Sequence, residues 1–296
     1  MSDAKDFSFK GVMTALVSPF QKGALDVASF KKVLRHQIDH GIQGFVVNGT
    51  TGESPTLRLE EVKDLLKLAQ SEVSGQVPVL LGTGSNSTHK TLEMTRLAAD
   101  LKADGALVVT PYYNKPPQRG LREHYLTLAK AVEIPIILYN VPGRTAVSMT
   151  PETVHELSRH RNIRGIKEAS GNLNLLQELK SNSEEDFVFL SGDDESSVDF
   201  CLQGGDGVIS VLSHVIPKEF VSLIDRAREG DASAASEFEK YKKLCQWLFV
   251  ESNPIPVKMA LYKMGLIASP EMRLPLVSLD VDKITDLQQV LDEVFQ

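Results

Sequence analysis

The chain has 296 residues, 42% of them hydrophobic and 24% charged, an ordinary globular composition with ample length to bury a large core. A formal net charge of −7 leaves no basic surplus to neutralise phosphates, which argues against a nucleic-acid partner and, more weakly, against anionic membranes. Two cysteines, Cys201 and Cys245, make neither a disulfide framework nor a zinc site and read as buried thiols in a reducing compartment. Residues 1–6 hold no apolar region of the signal-peptide kind, and no apolar run reaches membrane-spanning length, so a cytoplasmic location is expected.

Short apolar, β-branched runs begin near Val12, Gly44, Val77, Gly105, Ile134, Ile163, Phe187 and Gly207. Between them lie stretches of helical periodicity. Phe30, Val33, Leu34 and Ile38 form one apolar face, and Val62, Leu65, Leu66 and Ala69 another. Leu92, Leu97, Ala98 and Leu101 suggest a third, less regular one. Strand starts recur every ~20 to 35 residues, the length of one strand and one crossover helix. The strands are continuously apolar, as parallel strands buried on both faces are. The pattern predicts an α/β fold, a (β/α)8 barrel, with a doubly wound open sheet as the alternative. Residues 217–229 close the eighth unit. Further helices are expected over 232–249, 257–264 and 281–295, giving a barrel domain over 1–230 and a helical extension over 231–296 packed on it.

Catalytic groups of such barrels sit at the carboxyl ends of the strands and in the loops that follow. Those ends read Asn48-Gly49-Thr50-Thr51-Gly52-Glu53, Gly82-Thr83-Gly84-Ser85-Asn86, Thr110-Pro111-Tyr112-Tyr113-Asn114, Tyr139-Asn140-Val141-Pro142-Gly143-Arg144-Thr145, Lys167-Glu168-Ala169-Ser170 and Ser191-Gly192-Asp193-Asp194. Lys167 is the anomaly, a lysine inside an apolar strand. A lysine stripped of water favours its neutral amine, which can attack a ketone carbon to form an imine. The competing reading is a strand-end lysine paired with a carboxylate such as Glu168. Tyr139, one strand earlier, is either a proton shuttle or a core tyrosine bonded to backbone. Arg144, on a Pro-Gly turn, is either a bidentate carboxylate clamp or a solvated loop residue. The Gly49–Gly52 loop offers amides and hydroxyls to an anion, or is a plain turn. His36 and His40 have the helical spacing of some zinc sites but no third ligand, and read as an exposed helix face.

Together these motifs resemble the dihydrodipicolinate synthase family of pyruvate-dependent class I aldolases. The matching segments are GTTGES at Gly49, GTGSN at Gly82, TPYYNKP at Thr110, YNVPGRT at Tyr139, GIKEASG at Gly165, SGDD at Ser191, GVISV at Gly207 and NPIPVK at Asn253. They run in the family's order through barrel and extension. The resemblance implies condensation of pyruvate with L-aspartate 4-semialdehyde, in diaminopimelate and lysine synthesis. It makes Lys167 the imine-forming residue. It makes Tyr139, Thr50 and Tyr113 a proton relay, with Tyr113 supplied by a neighbouring subunit. Thr51 would bind the pyruvate carboxylate and Arg144 that of the aldehyde, with Gly192, Asp193 and the Ile209 carbonyl lining the rest. It implies no metal and no organic cofactor, and a homo-oligomer, a tetramer built from tight dimers. The rivals are N-acetylneuraminate lyase and 2-keto-3-deoxy-sugar-acid aldolases; paired threonines at 50 and 51 and the arginine of YNVPGRT favour the synthase. A non-catalytic homologue conflicts with the intact set of Lys167, Tyr139, Thr50 and Tyr113.

Many relatives are inhibited by lysine at a cleft between tight-dimer partners. The matching positions include Ser54, Pro55, Leu59, Val62, Asn86, Lys90 and Tyr112. Lysine-sensitive relatives tend to carry histidines at the first two of the positions Leu59, Val62 and Lys90, and a glutamate at the third. A cation at Lys90 repels an ammonium, so weak or absent lysine inhibition is expected.

Overall fold

A computed structural model describes residues 7–295; the leading residues 1–6, expected to hold no signal-type region, lie outside them. Among the described residues, eight parallel strands close into a barrel, each bonded to its sequence neighbours and the last to the first. They are β1 (Gly11–Ala15), β2 (Gly44–Val47), β3 (Val79–Gly82), β4 (Gly105–Val109), β5 (Ile136–Asn140), β6 (Ile163–Glu168), β7 (Val188–Ser191) and β8 (Gly207–Ser210).

The continuous apolar character of these strands has a direct cause. Side chains alternate between two faces, and both faces are buried. Val12, Phe45, Val47, Leu138, Ile166 and Val208 pack outward against the helices. Met13, Val46, Leu80, Leu107, Ile137, Leu190 and Ile209 fill the lumen, with Phe9 packed into the same cluster just ahead of β1. Small residues let the lumen close. A Cβ on Gly165 would stand 2.3 Å from Val188 Cγ2, and one on Gly105 2.4 Å from Leu80 Cδ2.

The barrel helices are α1 (Val27–Asp39), α2 (Leu59–Val73), α3 (Thr88–Asp100), α4 (Gln118–Ala131), α5 (Pro151–Ser158), α6 (Leu173–Lys180), α7 (Ser197–Leu202) and α8 (Pro217–Arg228). Side chains start several of them: Asp26 accepts from the Ser29 amide at 3.0 Å, and Glu61 reaches back to the Arg58 amide at 2.8 Å. Three helices follow, α9 (Ser233–Trp247), α10 (Ile255–Lys263) and α11 (Val281–Phe295); α9 packs on α8, and α11 packs on both α9 and α10. No described helix is long and apolar enough to cross a membrane.

Some details depart from the sequence reading. A two-stranded hairpin, Phe20–Gln21 with Ala24–Leu25, precedes α1, and a helical turn, Pro142–Thr145, follows β5. The buried face of α3 is Thr91, Thr95 and Ala98, while Leu92, Leu97 and Leu101 are only half-buried. The threonines can be buried because their hydroxyls are bonded: Thr95 donates to the Thr91 carbonyl at 2.7 Å and lies 2.9 Å from the Thr83 hydroxyl. His36 and His40 are half-buried against each other, ring centroids 4.5 Å apart, rather than on a free face. Both cysteines are buried free thiols; burial pushes the Cys201 pKa up to about 12.

Candidate active site

At the carboxyl end of the barrel, one cavity gathers Thr50, Thr51, Tyr139, Arg144, Lys167, Gly192, Asp193 and Ile209. These positions come from β2, β5, β6, β7 and β8 and the segments just after them. Closure of the barrel converts their scattered sequence positions into one lining.

Lys167 and Tyr139 are direct cross-strand partners on β6 and β5, so both side chains enter the lumen. Lys167 is 6% exposed and its Nζ sits 4.5 Å from the centre of the Tyr139 ring. The alternation that sends Lys167 inward sends Glu168 outward, and Glu168 is occupied there. Its Oε2 accepts from Asn140 Nδ2 at 2.8 Å and its Oε1 from the Ser170 amide at 2.7 Å. The ion pair that would have made Lys167 a structural residue is therefore not formed. Among the described residues Lys167 has no carboxylate within ion-pair distance. Its amine rests on an aromatic face beside an open cavity.

Gly192 fits the path of that lysine. A Cβ there would lie 2.7 Å from Lys167 Cε and 2.6 Å from the Ala169 Cβ. The backbone must approach this closely because the Gly192 amide bonds the Glu168 carbonyl at 2.7 Å, tying the end of β7 to β6. The next residues are rigid. Asp193 accepts from the Ser196 amide at 3.1 Å, and Asp194 Oδ2 from the amides of Val211 and Leu212, each at 2.9 Å. Asp194 thus holds the chain just beyond Ile209. Burial pushes its pKa up, against the hydrogen bonds that lower it.

The loop after β2 folds into tight turns. The Gly49 carbonyl takes the Gly52 amide at 3.1 Å, and the Thr50 carbonyl takes the Glu53 amide at 3.1 Å. Among the described residues, the amides of Thr50 and Thr51 have no backbone partner. With two hydroxyls they make a concentrated donor site suited to a carboxylate. Glu53, left-handed at φ 57°, turns its carboxylate away from the cavity onto Lys258 Nζ at 2.7 Å and the Arg273 amide at 3.0 Å. Arg144 stands exposed on the helical turn after β5, its guanidinium donating to the Asn253 carbonyl at 3.4 Å.

Tyr113 is the expected site residue that the chain does not bring to this cavity. It is 88% exposed on a backbone with φ 72°, an unusual conformation for a bulky aromatic residue. Conversely, Asn253, Phe249 and Val211 line the cavity without having been assigned a part. NPIPVK at Asn253 was the available signal, but nothing in a sequence indicates which strand end the extension reaches.

A second cavity shares the wall formed by Gly49, Thr50, Leu107 and Tyr139. It opens outward between Ser54, Pro55, Leu59, Val62, Lys90 and Tyr112.

The family model described as the Dihydrodipicolinate synthetase family matches residues 8–294. The chain belongs to that family. The 4-hydroxy-tetrahydrodipicolinate synthase of Bdellovibrio bacteriovorus is 48% identical over 288 residues, covering 97% of this chain and 98% of that one. Among solved structures, the chloride-inhibited dihydrodipicolinate synthase of Acinetobacter baumannii complexed with pyruvate superposes with a TM-score of 0.95 at 40% identity, covering 97% of this chain and 99% of the other. The enzyme of Cyanidioschyzon merolae with lysine bound matches with a TM-score of 0.92 at 38% identity over 97% and 98%. Family and architecture thus agree with the resemblance carried by the motifs.

Proposed function

We propose that this chain works as a 4-hydroxy-tetrahydrodipicolinate synthase, a lyase of the class I aldolase type that joins pyruvate to L-aspartate 4-semialdehyde through an imine on Lys167. The observation that carries the reading is the Lys167 amine: buried, stacked on Tyr139, with no carboxylate partner among the described residues, and facing a cavity with an anion-binding loop.

The chemistry follows from the groups present. Lys167 Nζ adds to the carbonyl carbon of pyruvate, and loss of water leaves a protonated imine. That cation withdraws electrons from the methyl carbon, which gives up a proton to become an enamine. The enamine carbon attacks the aldehyde carbon, the aldehyde oxygen takes a proton as the new bond forms, and the amino group of the aldehyde substrate then adds to the imine carbon and displaces Lys167, closing the product ring and freeing the amine. Tyr139, Thr50 and a partner subunit's tyrosine at position 113 carry these protons as hydroxyl groups, without placing a full charge in a dry pocket. Thr51 and its loop hold the pyruvate carboxylate. Arg144, with its planar fork, holds the carboxylate of the aldehyde. Gly192, Asp193 and the Ile209 carbonyl line the remaining space. No metal or organic cofactor takes part, since the imine itself is the electron sink.

The exposure of Tyr113 and its left-handed backbone support its use by a neighbouring copy, and the family resemblance implies that the copies form a homotetramer of tight dimers. The second cavity supports weak or absent lysine inhibition, because Leu59 and Val62 offer no hydrogen bonds there and Lys90 brings a positive charge. A lysine titration of the purified enzyme should leave activity nearly unchanged at 1 mM (roughly the upper end of ordinary small-ligand affinities); strong inhibition below that concentration contradicts it. The reading as a whole is tested by a coupled assay with pyruvate and L-aspartate 4-semialdehyde beside N-acetylneuraminate cleavage. Turnover is expected in the first, and turnover confined to the second would overturn the proposal.

A further inference from the structure

Asn253 lies just ahead of α10, and three observations give it a part in the site. It is 7% exposed and lines the cavity. Its side-chain amide donates to Thr51 Oγ1 at 2.9 Å, fully buried, and its backbone carbonyl accepts from Arg144 at 3.4 Å. Its Oδ1 is buried with no partner. One residue of the helical extension therefore touches both groups assigned to the two substrate carboxylates.

The polarity of the first contact matters. A threonine hydroxyl has a single proton. When Oγ1 accepts from Asn253, that proton is not committed to Asn253 and can be donated into the cavity. The opposite arrangement, with the Asn253 oxygen facing Thr51, would draw the proton away. It would also leave both Nδ2 protons without a partner, where the observed arrangement engages one of them.

The mount is rigid as well. Ile255 to Leu261 are all buried, and Lys258 in their midst bonds Glu53, two residues beyond Thr51. The anion-binding loop is thus fastened to the extension at two points.

We propose that Asn253 is a positioning residue: its amide presets the Thr51 hydroxyl as a donor to the carboxylate of the 2-oxo acid, while its carbonyl steadies Arg144. This rests on the imine reading above and deepens it.

The test is pyruvate kinetics on Asn253→Asp and Asn253→Ala, alone and with Thr51→Val. Aspartate has the shape of asparagine but only accepts, so it captures the Thr51 proton. Asn253→Asp should raise the pyruvate KM at least roughly tenfold, and Asn253→Ala about fivefold, with kcat changed less than about threefold. If Asn253 served only to pack, the isosteric aspartate would be the milder change, and that order overturns the proposal. Simple charge repulsion is separated by the double variant. In the Thr51→Val background the aspartate should cost less than about threefold, whereas its full cost there refutes coupling through the hydroxyl. Should the aspartate variant fail to fold, the alanine variant decides, and an unchanged pyruvate KM overturns the proposal. Borohydride trapping of wild type with pyruvate separates the two levels. No adduct on Lys167 defeats the imine reading, whereas an adduct with unaltered KM in the Asn253 variants defeats only the role of Asn253.

Discussion

Two buried lysines, one in the barrel lumen and one in the seam with the extension, make an instructive pair. Lys258 is 0% exposed, and its amine has a bond in every direction it needs: Glu53 Oε1 at 2.7 Å, the Ser18 carbonyl at 3.0 Å and the Glu271 carbonyl at 2.5 Å. Lys167 is 6% exposed and, among the described residues, has no such partner. Each amine lies 4.5 Å from the centre of an aromatic ring, Phe20 in one case and Tyr139 in the other. Burial and an aromatic neighbour are therefore common to both. What differs is satisfaction: the seam lysine is committed to structure, whereas the lumen lysine keeps an unpaired amine beside the cavity. Burial alone does not mark a chemical lysine; burial without a partner beside a cavity does.

The sharpest way to break this comparison is to remove each amine. Lys167→Ala should lower kcat/KM by roughly 10³-fold or more, the scale of losing a nucleophile. Its thermal unfolding should stay within a few degrees of wild type, because no ion pair is lost. Lys258→Met should do the reverse. It strands the Glu53 carboxylate in a buried seam and should cost about 3–5 kcal/mol, or on the order of 10 °C in Tm. Calorimetry beside steady-state assays separates the two outcomes, and equal destabilisation by both would erase the distinction.

A smaller effect is expected at Tyr113. Tyr113→Phe should reduce turnover by about ten- to a hundredfold, the scale of a lost proton-transfer group, with the pyruvate KM within about twofold. Matching losses in kcat and in pyruvate binding contradict a relay role.

The smallest effect lies in the seam and depends on pH. The Arg273 guanidinium, donating to both Glu61 oxygens at 2.7 Å, holds the Glu61 pKa down at about 2. A depressed carboxyl pKa stabilises the fold above its unfolded value near 4.5 and loses that contribution as pH falls toward about 2. Glu61→Gln should thus be less stable than wild type at neutral pH by about 2 kcal/mol, with the difference closing across that window. Denaturant melts between neutral and acid pH would show it, and a constant difference would count against the assignment.

Much of the lumen was legible from the sequence and little of the seam was. Strands buried on both faces leave continuous apolar runs, so the pattern alone marks β1 to β8. Lys167 stood out because it interrupts one of them. Periodicity is blind to polar groups that are buried in pairs. Glu53 is far in the chain from both Lys258 and Arg273, and its partnership with them exists only after folding. Thr91 and Thr95 hid the buried face of α3, since each threonine counts as polar until its hydroxyl is seen bonded within the helix. Two-residue strands such as Phe20–Gln21 carry too little pattern to detect. Asn253 belongs with these: its motif was visible, but its place beside Thr51 and Arg144 depends on where the extension docks.

The central claim is that Lys167, and not Lys258, carries the chemistry. Borohydride reduction in the presence of pyruvate, followed by peptide mass mapping, tests it most directly. A reduced pyruvate adduct confined to the peptide containing Lys167 is the predicted result. An adduct on Lys258, or none on Lys167, would contradict the account.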